Sequence, residues 1–225
     1  MTDKPSPAEP LPIVILISGY GSNLQAIIDA VHNGDLPVEI RGVISNRPDA
    51  YGLARAKEAG IPTKVIDHTT HQNRRAFDLE LQKAIDGFQP ALVVLAGFMR
   101  ILGAELIDHY RGRMMNIHPS LLPDYPGLNT HQRVLDAKEK RHGASVHFVT
   151  GELDSGPVII QARIAVMPED DTKSLAARIQ KLEHRIYPVA IKWFAQGRLG
   201  FKEDIILLDN KPLIKPVEYQ EDIMS

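Results

Sequence analysis

An amide and an imidazole two residues apart, in Asn116-Ile117-His118-Pro119-Ser120-Leu121-Leu122-Pro123, carry the strongest chemical signal in this chain. The segment follows a short hydrophobic run that reads as a β-strand. Side chains two apart on a strand point to the same side. Two hydrogen-bond donors converging at the rim of a sheet suit the stabilisation of a developing oxyanion. Downstream, Glu152-Leu153-Asp154-Ser155-Gly156-Pro157 is a turn carrying an isolated carboxylate. That carboxylate can orient the imidazole and hold its charge, as in other His–Asp pairs. Taken singly, each residue has a plainer reading: a buried Asn or His satisfies backbone groups, and an Asp caps a turn. The catalytic reading rests on all three lying at chain reversals near one end of one sheet.

A second candidate is Ser18-Gly19-Tyr20-Gly21-Ser22-Asn23, between a strand and a helix. Glycines let the backbone approach an anion, and the helix start supplies free N–H groups. Ser22 and Asn23 add side-chain donors, and a phosphate is the natural guest. A dinucleotide site is the rival; it is weakened by Leu rather than Gly at position 24 and by a second strand ending Ser45-Asn46-Arg47, with no acid for a ribose. A tight turn with an N-cap serine is the plain alternative.

Gly97-Phe98-Met99-Arg100-Ile101-Leu102 follows the clearest strand and reads either as a strand-to-helix turn or as an apolar wall for a flat ring. The remaining histidines are less persuasive. His68 and His71 lack the neighbours of a metal site. His147 reads as a packed or cross-strand residue and His184 as a helix-surface residue. Trp193 reads as core. Neither His-Glu-x-x-His nor Gly-x-Ser-x-Gly occurs, so zinc peptidase and serine hydrolase chemistry have no support.

The elements that must position these residues follow from hydrophobic spacing. Strands are expected at Ile13–Ile17, Ile40–Ile44, Lys64–Ile66, Leu92–Ala96 and Met114–Ile117. Helices fall between them, over Leu24–Val31, Leu53–Ala59, Phe77–Ile85 and Leu102–Tyr110. This alternation predicts an α/β fold, one open, mostly parallel twisted sheet with helices on both faces, whose ligands bind outside the carboxyl ends of the strands. After residue 140 the pattern changes to two strands, Ala144–Val149 and Val158–Val166, read as an antiparallel extension. A long helix follows over Thr172–Ala195, with Pro188 expected to kink it, and a strand at Ile205–Leu208. Residues 1–12 read as a disordered Pro-rich tail and residues 13–225 as one domain.

Composition fits that picture. Apolar residues make up 44% and charged residues 24% of 225, as in an ordinary globular chain. A net charge of −2 argues against a nucleic-acid partner. The absence of cysteine excludes disulfides and thiolate chemistry and fits a cytoplasmic enzyme. No signal peptide is expected, and no run approaches the roughly 20 apolar residues of a membrane span.

Read together, Ser18-Gly19-Tyr20-Gly21-Ser22-Asn23-Leu24-Gln25, Val94–Leu102, Asn116–Pro123, His142–His147 and Leu153–Pro157 closely resemble the phosphoribosylglycinamide formyltransferases, folate-dependent enzymes of purine synthesis. The resemblance runs from about Ile13 to Leu199. The Asn-x-His-Pro-Ser-x-Leu-Pro core alone is shared by all formyltransferases and hydrolases that use formyltetrahydrofolate. The resemblance implies a Rossmann-like formyltransferase fold, 10-formyltetrahydrofolate as co-substrate, glycinamide ribonucleotide as acceptor, and no metal. It implies Asn116, His118 and Asp154 as the catalytic group and Gly21, Ser22 and Asn23 around the acceptor's phosphate. Glu183 would take the acceptor's ribose hydroxyls, with Gln180 assisting at the phosphate. Arg74, Met99, Arg100, Ile101, Leu102 and Asn116 would contact the folate. The Pro119–Asn129 segment would be a mobile lid. Partners are expected to be these small molecules, for a monomer or homodimer. Two positions depart from the family pattern: Asn129, where His is frequent, and Ser155, where Gly is common, which stiffens the turn at Asp154. A formyltetrahydrofolate hydrolase using the same three side chains is the alternative; those relatives usually carry an extra N-terminal regulatory domain, for which the tail is too short. A methionyl-tRNA formyltransferase would need a C-terminal RNA-binding domain.

Overall fold

A computed structural model describes residues 9–202 and 205–219. Strands β1 (Leu11–Ile17), β2 (Val38–Ser45), β3 (Thr63–Val65), β4 (Leu92–Leu95) and β5 (Met114–His118) alternate with helices α1 (Ser22–His32), α2 (Gly52–Glu58), α3 (Arg74–Gly87) and α4 (Ala104–His109). Next come α5 (Thr130–Asp136), β6 (Arg141–Phe148), β7 (Val158–Ala165) and α6 (Thr172–Ala195). The chain closes with β8 (Leu199–Lys202), β9 (Ile205–Leu208), β10 (Lys211–Pro212) and β11 (Val217–Glu218).

The eight-stranded sheet has the order β11-β7-β6-β5-β4-β1-β2-β3. From β3 to β5 neighbouring strands are parallel; β6 is antiparallel to both β5 and β7. This is the expected mostly parallel α/β sheet with an antiparallel extension. β8, β9 and β10 form a separate antiparallel sheet. Among the described residues no helix is long and apolar enough to cross a membrane.

β1 shows why both faces must be covered. Ile13, Ile15 and Ile17 pack in one core with Leu24 and Ile27 of α1, Leu53 of α2 and Ile179 and Ile186 of α6. Val14 and Leu16 pack in the other with Phe77 and Leu81 of α3 and Leu106 of α4. A run apolar at every position is buried on both sides, as a central parallel strand requires. Because β1 lies between β2 and β4, the loops after β1 and β4 leave the sheet side by side at the point where the winding reverses.

Several boundaries differ from the sequence reading. β1 begins at Leu11, not Ile13, because Leu11 pairs with Val38 and its N–H bonds Pro37 O at 3.1 Å. The expected tail thus gives up Leu11 and Pro12 to the sheet, and residues 1–8 lie outside those described. α4 starts two residues late: Leu102 is buried in the core and Gly103 N donates to Asp78 Oδ2 at 2.8 Å. α5, β8, β10 and β11 are additions to the sequence reading: α5 buries only Thr130 and Val134, β8 only Leu199, and β10 and β11 are two residues each. α6 spans Thr172–Ala195 as the sequence reading has it, with Pro188 inside it.

Candidate active site

The loop after β1 leads into a helix start whose backbone donors face outward from the chain turn. Gly21, the residue before α1, has φ 74° and ψ 34°, a left-handed conformation suited to glycine, and no side chain caps the helix. Gln25 N bonds Gly21 O at 3.0 Å, leaving the N–H groups of Ser22 to Leu24 without acceptors inside the helix. Helix-start donors of this kind attract negative charge. The side chains behave differently from expectation. Asn23 Nδ2 donates to Glu183 Oε2 at 2.8 Å, so the Asn23 amide serves α6, and what the loop offers an anion is chiefly backbone. Ser22 Oγ accepts from Gln180 Nε2 at 2.9 Å and keeps its own hydrogen to donate.

Glu183 lies 9% exposed at the buried edge of this loop. Desolvation pushes its carboxyl above the usual range, opposed by the Asn23 hydrogen bond. Asn23 Oδ1 is buried with no partner. A buried carboxylate and a buried amide oxygen therefore lie beside the N–H groups of the helix start.

The three residues singled out from sequence do meet. Asn116 and His118 lie on one face of β5, where the antiparallel register sets them opposite His147 and Ser145 of β6. Asp154 comes from the β6–β7 turn with φ 50°. Its carboxylate is 3.4 Å from His118 Nδ1, an ion-pair spacing longer than an ordinary N–H···O bond, and accepts from Gly127 N at 2.9 Å. The turn is tight: a Cβ on Gly156 would sit 1.8 Å from Phe148 O.

His118 Nε2 lies 3.0 Å from Tyr125 O. A carbonyl only accepts, so Nε2 carries a proton and spends it on the segment following β5. That segment is anchored along its length: Ser120 Oγ donates to Asp124 O at 2.6 Å, and Arg133 Nη1 donates to Pro126 O at 2.6 Å. Leu122 N bonds Ser145 Oγ at 3.0 Å and Gln161 Nε2 bonds Leu122 O at 2.8 Å, so its first half is pinned to β6 and β7. Tyr125 and Asn129 have φ 55° and 57°, in the left-handed region disfavoured for side-chain-bearing residues.

His147, read from sequence as a packed or cross-strand residue, is both, buried opposite Asn116, and it also belongs to the cluster. Its Nε2 is 3.2 Å from Asn116 Nδ2 and 3.8 Å from Asp154 Oδ1. Burial pushes its imidazole down to about 4, so it sits neutral. Its alternating position on an antiparallel strand was the only available signal, and the strand partner could not be read from sequence.

The wall after β4 is tied to the anion loop through Ser18. Ser18 Oγ accepts from Met99 N at 2.7 Å and donates to Asn46 Oδ1 at 2.5 Å, and Ser18 N bonds Gly97 O at 3.1 Å. Met99 and Ile101 are 65% and 61% exposed, an apolar surface at the strand ends. Leu102, expected on that wall, turns its side chain into the core. Arg74 and Arg100 both act electrostatically on buried Asp78, which brings α3 to this wall.

The other histidines also find places. His131 Nδ1 and His142 Nε2 are 3.0 Å apart. Burial lowers both imidazoles, His142 to about 4. His184 is not a surface residue: its ring is half-buried and Nε2 is buried without a partner. His71 pairs with Glu80, and His68 bonds Asn46. Among the described residues no cluster of three or more His, Cys, Asp or Glu could hold a metal.

Comparison with known proteins identifies the family of the chain. The formyl transferase model matches residues 11–191. The phosphoribosylglycinamide formyltransferase of Escherichia coli K12 is 51% identical over 210 residues, spanning 93% of this chain and 99% of its own. The solved phosphoribosylglycinamide formyltransferase of Coxiella burnetii is 56% identical with TM-score 0.91, over 94% of this chain and 100% of that one. Glycinamide ribonucleotide transformylase 1 of Symbiobacterium toebii is 40% identical with TM-score 0.87, over 92% and 98%.

Proposed function

The chain belongs to the formyl transferase family, and from that premise we propose that it transfers the formyl group of 10-formyltetrahydrofolate to the amine of glycinamide ribonucleotide, a step of purine biosynthesis. One observation carries the reading to this site: Asn116, His118 and Asp154 converge at the strand ends between an anion-binding loop and an exposed apolar wall. The loop suits the acceptor's phosphate, with Glu183 toward its ribose and Gln180 beside Ser22. The wall of Met99 to Ile101, with Arg74 and Asn116, suits the flat ring of the donor, with Leu102 anchoring it from the core side.

The chemistry follows from the side chains. The acceptor's amine attacks the formyl carbon, forming a C–N bond and a tetrahedral oxyanion. Asn116 Nδ2 and a protonated His118 donate to that oxyanion. Asp154 stabilises the imidazolium and receives or relays the amine's proton, through water, to the folate nitrogen as the old C–N bond breaks. Delivering His118 Nε2 to this task requires Tyr125 O to give up its hydrogen bond, so residues 124–129 must shift between resting and reacting states. Closure of the same residues would exclude water from the formyl group.

Hydrolysis of the donor is the competing chemistry. The acceptor pocket argues for transfer: an anion-binding helix start beside a buried carboxylate has no use when water is the acceptor. The relatives named above are likewise formyltransferases by name. Following donor loss with and without glycinamide ribonucleotide tests the choice. Consumption should require the ribonucleotide and yield its formylated product; consumption indifferent to it would reject the transferase reading.

A further inference from the structure

The loop between β1 and α1 keeps an uncommon shape with little of its own to hold it. An N-cap residue is normally extended and lends its side chain to the helix; Gly21 is left-handed and has none to lend. α6 holds the side chains of Ser22 and Asn23, and the backbone before them is braced by α2. Gly52 N donates to Gly19 O at 3.0 Å. Gly21 and Gly52 pass so closely that a Cβ on Gly21 would lie 2.7 Å from Gly52 Cα.

One turn along α2, Arg55 reaches back to the loop. Its Nε donates to Tyr20 O at 3.0 Å and its Nη1 to Gln25 Oε1 at 3.0 Å. Its guanidinium carbon lies 4.5 Å from the Tyr20 ring centroid and 5.0 Å from that of Tyr51. Those rings are stacked, 5.2 Å apart at 13°, although Tyr20 is 67% and Tyr51 52% exposed. Tyr20 immediately precedes the donor stretch Gly21–Leu24 and Gln25 immediately follows it. Arg55 therefore grips both ends of the segment whose N–H groups face the anion.

We propose that Arg55 is a positioning residue for the acceptor's phosphate, holding the Gly21–Leu24 backbone in its anion-binding shape without touching the substrate; this rests on the reading that the loop binds that phosphate. A planar guanidinium can span the Tyr20 carbonyl and the Gln25 amide while lying against the rings. A lysine ammonium carries the same charge but cannot do all three. The result is a loop that is already shaped before phosphate arrives, which lowers the ordering cost of binding.

Steady-state kinetics of Arg55→Ala and Arg55→Lys test this, varying glycinamide ribonucleotide and its dephosphorylated nucleoside in turn. Arg55→Ala should raise the ribonucleotide KM about tenfold while kcat and the donor KM stay within about twofold. Its kcat/KM on the nucleoside should not change. Arg55→Lys should stay close to Arg55→Ala. An unchanged ribonucleotide KM overturns the proposal, as does equal loss on the nucleoside. Full recovery with lysine also overturns it, because charge alone would then suffice. If Arg55→Ala does not fold, Gln25→Leu, which removes one prong, is read the same way with an expected rise of about threefold. Wild-type protein that ignores glycinamide ribonucleotide would reject the acceptor assignment instead. Arg55 is then judged by thermal protection with inorganic phosphate, where equal protection of wild type and Arg55→Ala overturns its role.

Discussion

His147 sets the orientation of the Asn116 amide. His147 Nδ1 lies 3.0 Å from Phe148 O, so that nitrogen carries the proton and Nε2 is left as an acceptor. Asn116 Nδ2, 3.2 Å from Nε2, must then donate to it. One amide hydrogen is spent on this bond and the second remains for a substrate oxygen. An amide free to flip would present its oxygen to the oxyanion half the time, which repels rather than stabilises.

His147→Leu should therefore lower kcat about tenfold with the donor KM nearly unchanged. His147→Gln, whose amide oxygen can accept, should recover part of the loss. Steady-state kinetics decide it; full activity in His147→Leu would show that Asn116 is oriented by other means.

His118→Ala and Asp154→Asn should each lower turnover by about 10²–10⁴-fold while circular dichroism stays native. Asp154→Asn keeps an acceptor for Gly127 N but removes the negative charge beside His118. Near-normal single-turnover rates in Asp154→Asn would remove the carboxylate from the mechanism.

Glu183 sets binding against stability. Burial raises its carboxyl pKa in the fold, so its ionisation favours the unfolded chain. No penalty exists below the unfolded carboxyl pKa, and it grows as pH rises from there through the folded value. Glu183→Gln should therefore raise Tm at neutral pH, by about 2–4 °C per kcal/mol relieved, with the difference vanishing in acid. The same change should raise the acceptor KM about ten- to hundredfold. An unchanged acceptor KM would contradict the ribose assignment.

Acid should loosen the segment between β5 and β6. His131 and His142 touch nitrogen to nitrogen, and burial depresses both. Their folded forms are neutral, so the stability they contribute is present above the unfolded histidine value of about 6.5 and fades as pH falls toward about 4. His142→Gln should make the decline of Tm over that window shallower and reduce the protons taken up on unfolding, measured calorimetrically in buffers of different ionisation enthalpy. Equal slopes in both proteins would reject the link.

Much of this protein was legible locally. Ile13–Ile17 and Leu92–Leu95 are apolar at every position, which only a strand buried on both faces tolerates, so the parallel α/β sheet could be read from them. Asn116 and His118 share a face because side chains alternate along a strand, and Gly-x-Gly before a helix announces exposed N–H donors. α5 escaped because it buries only Thr130 and Val134, too few apolar positions to mark a helical face.

The sheet, the Asn-x-His pair and the Gly-x-Gly helix start are local in origin, because strand alternation and glycine sterics act over a few residues. What those groups touch follows from how distant segments pack. Asn23 meets Glu183 across 160 positions, Asn116 meets His147 through the β5–β6 register, and Arg55 meets Tyr20 through the close passage of Gly21 and Gly52. Register and helix packing are set by the burial of the whole sheet, and no local pattern encodes which partner that burial brings within hydrogen-bond reach.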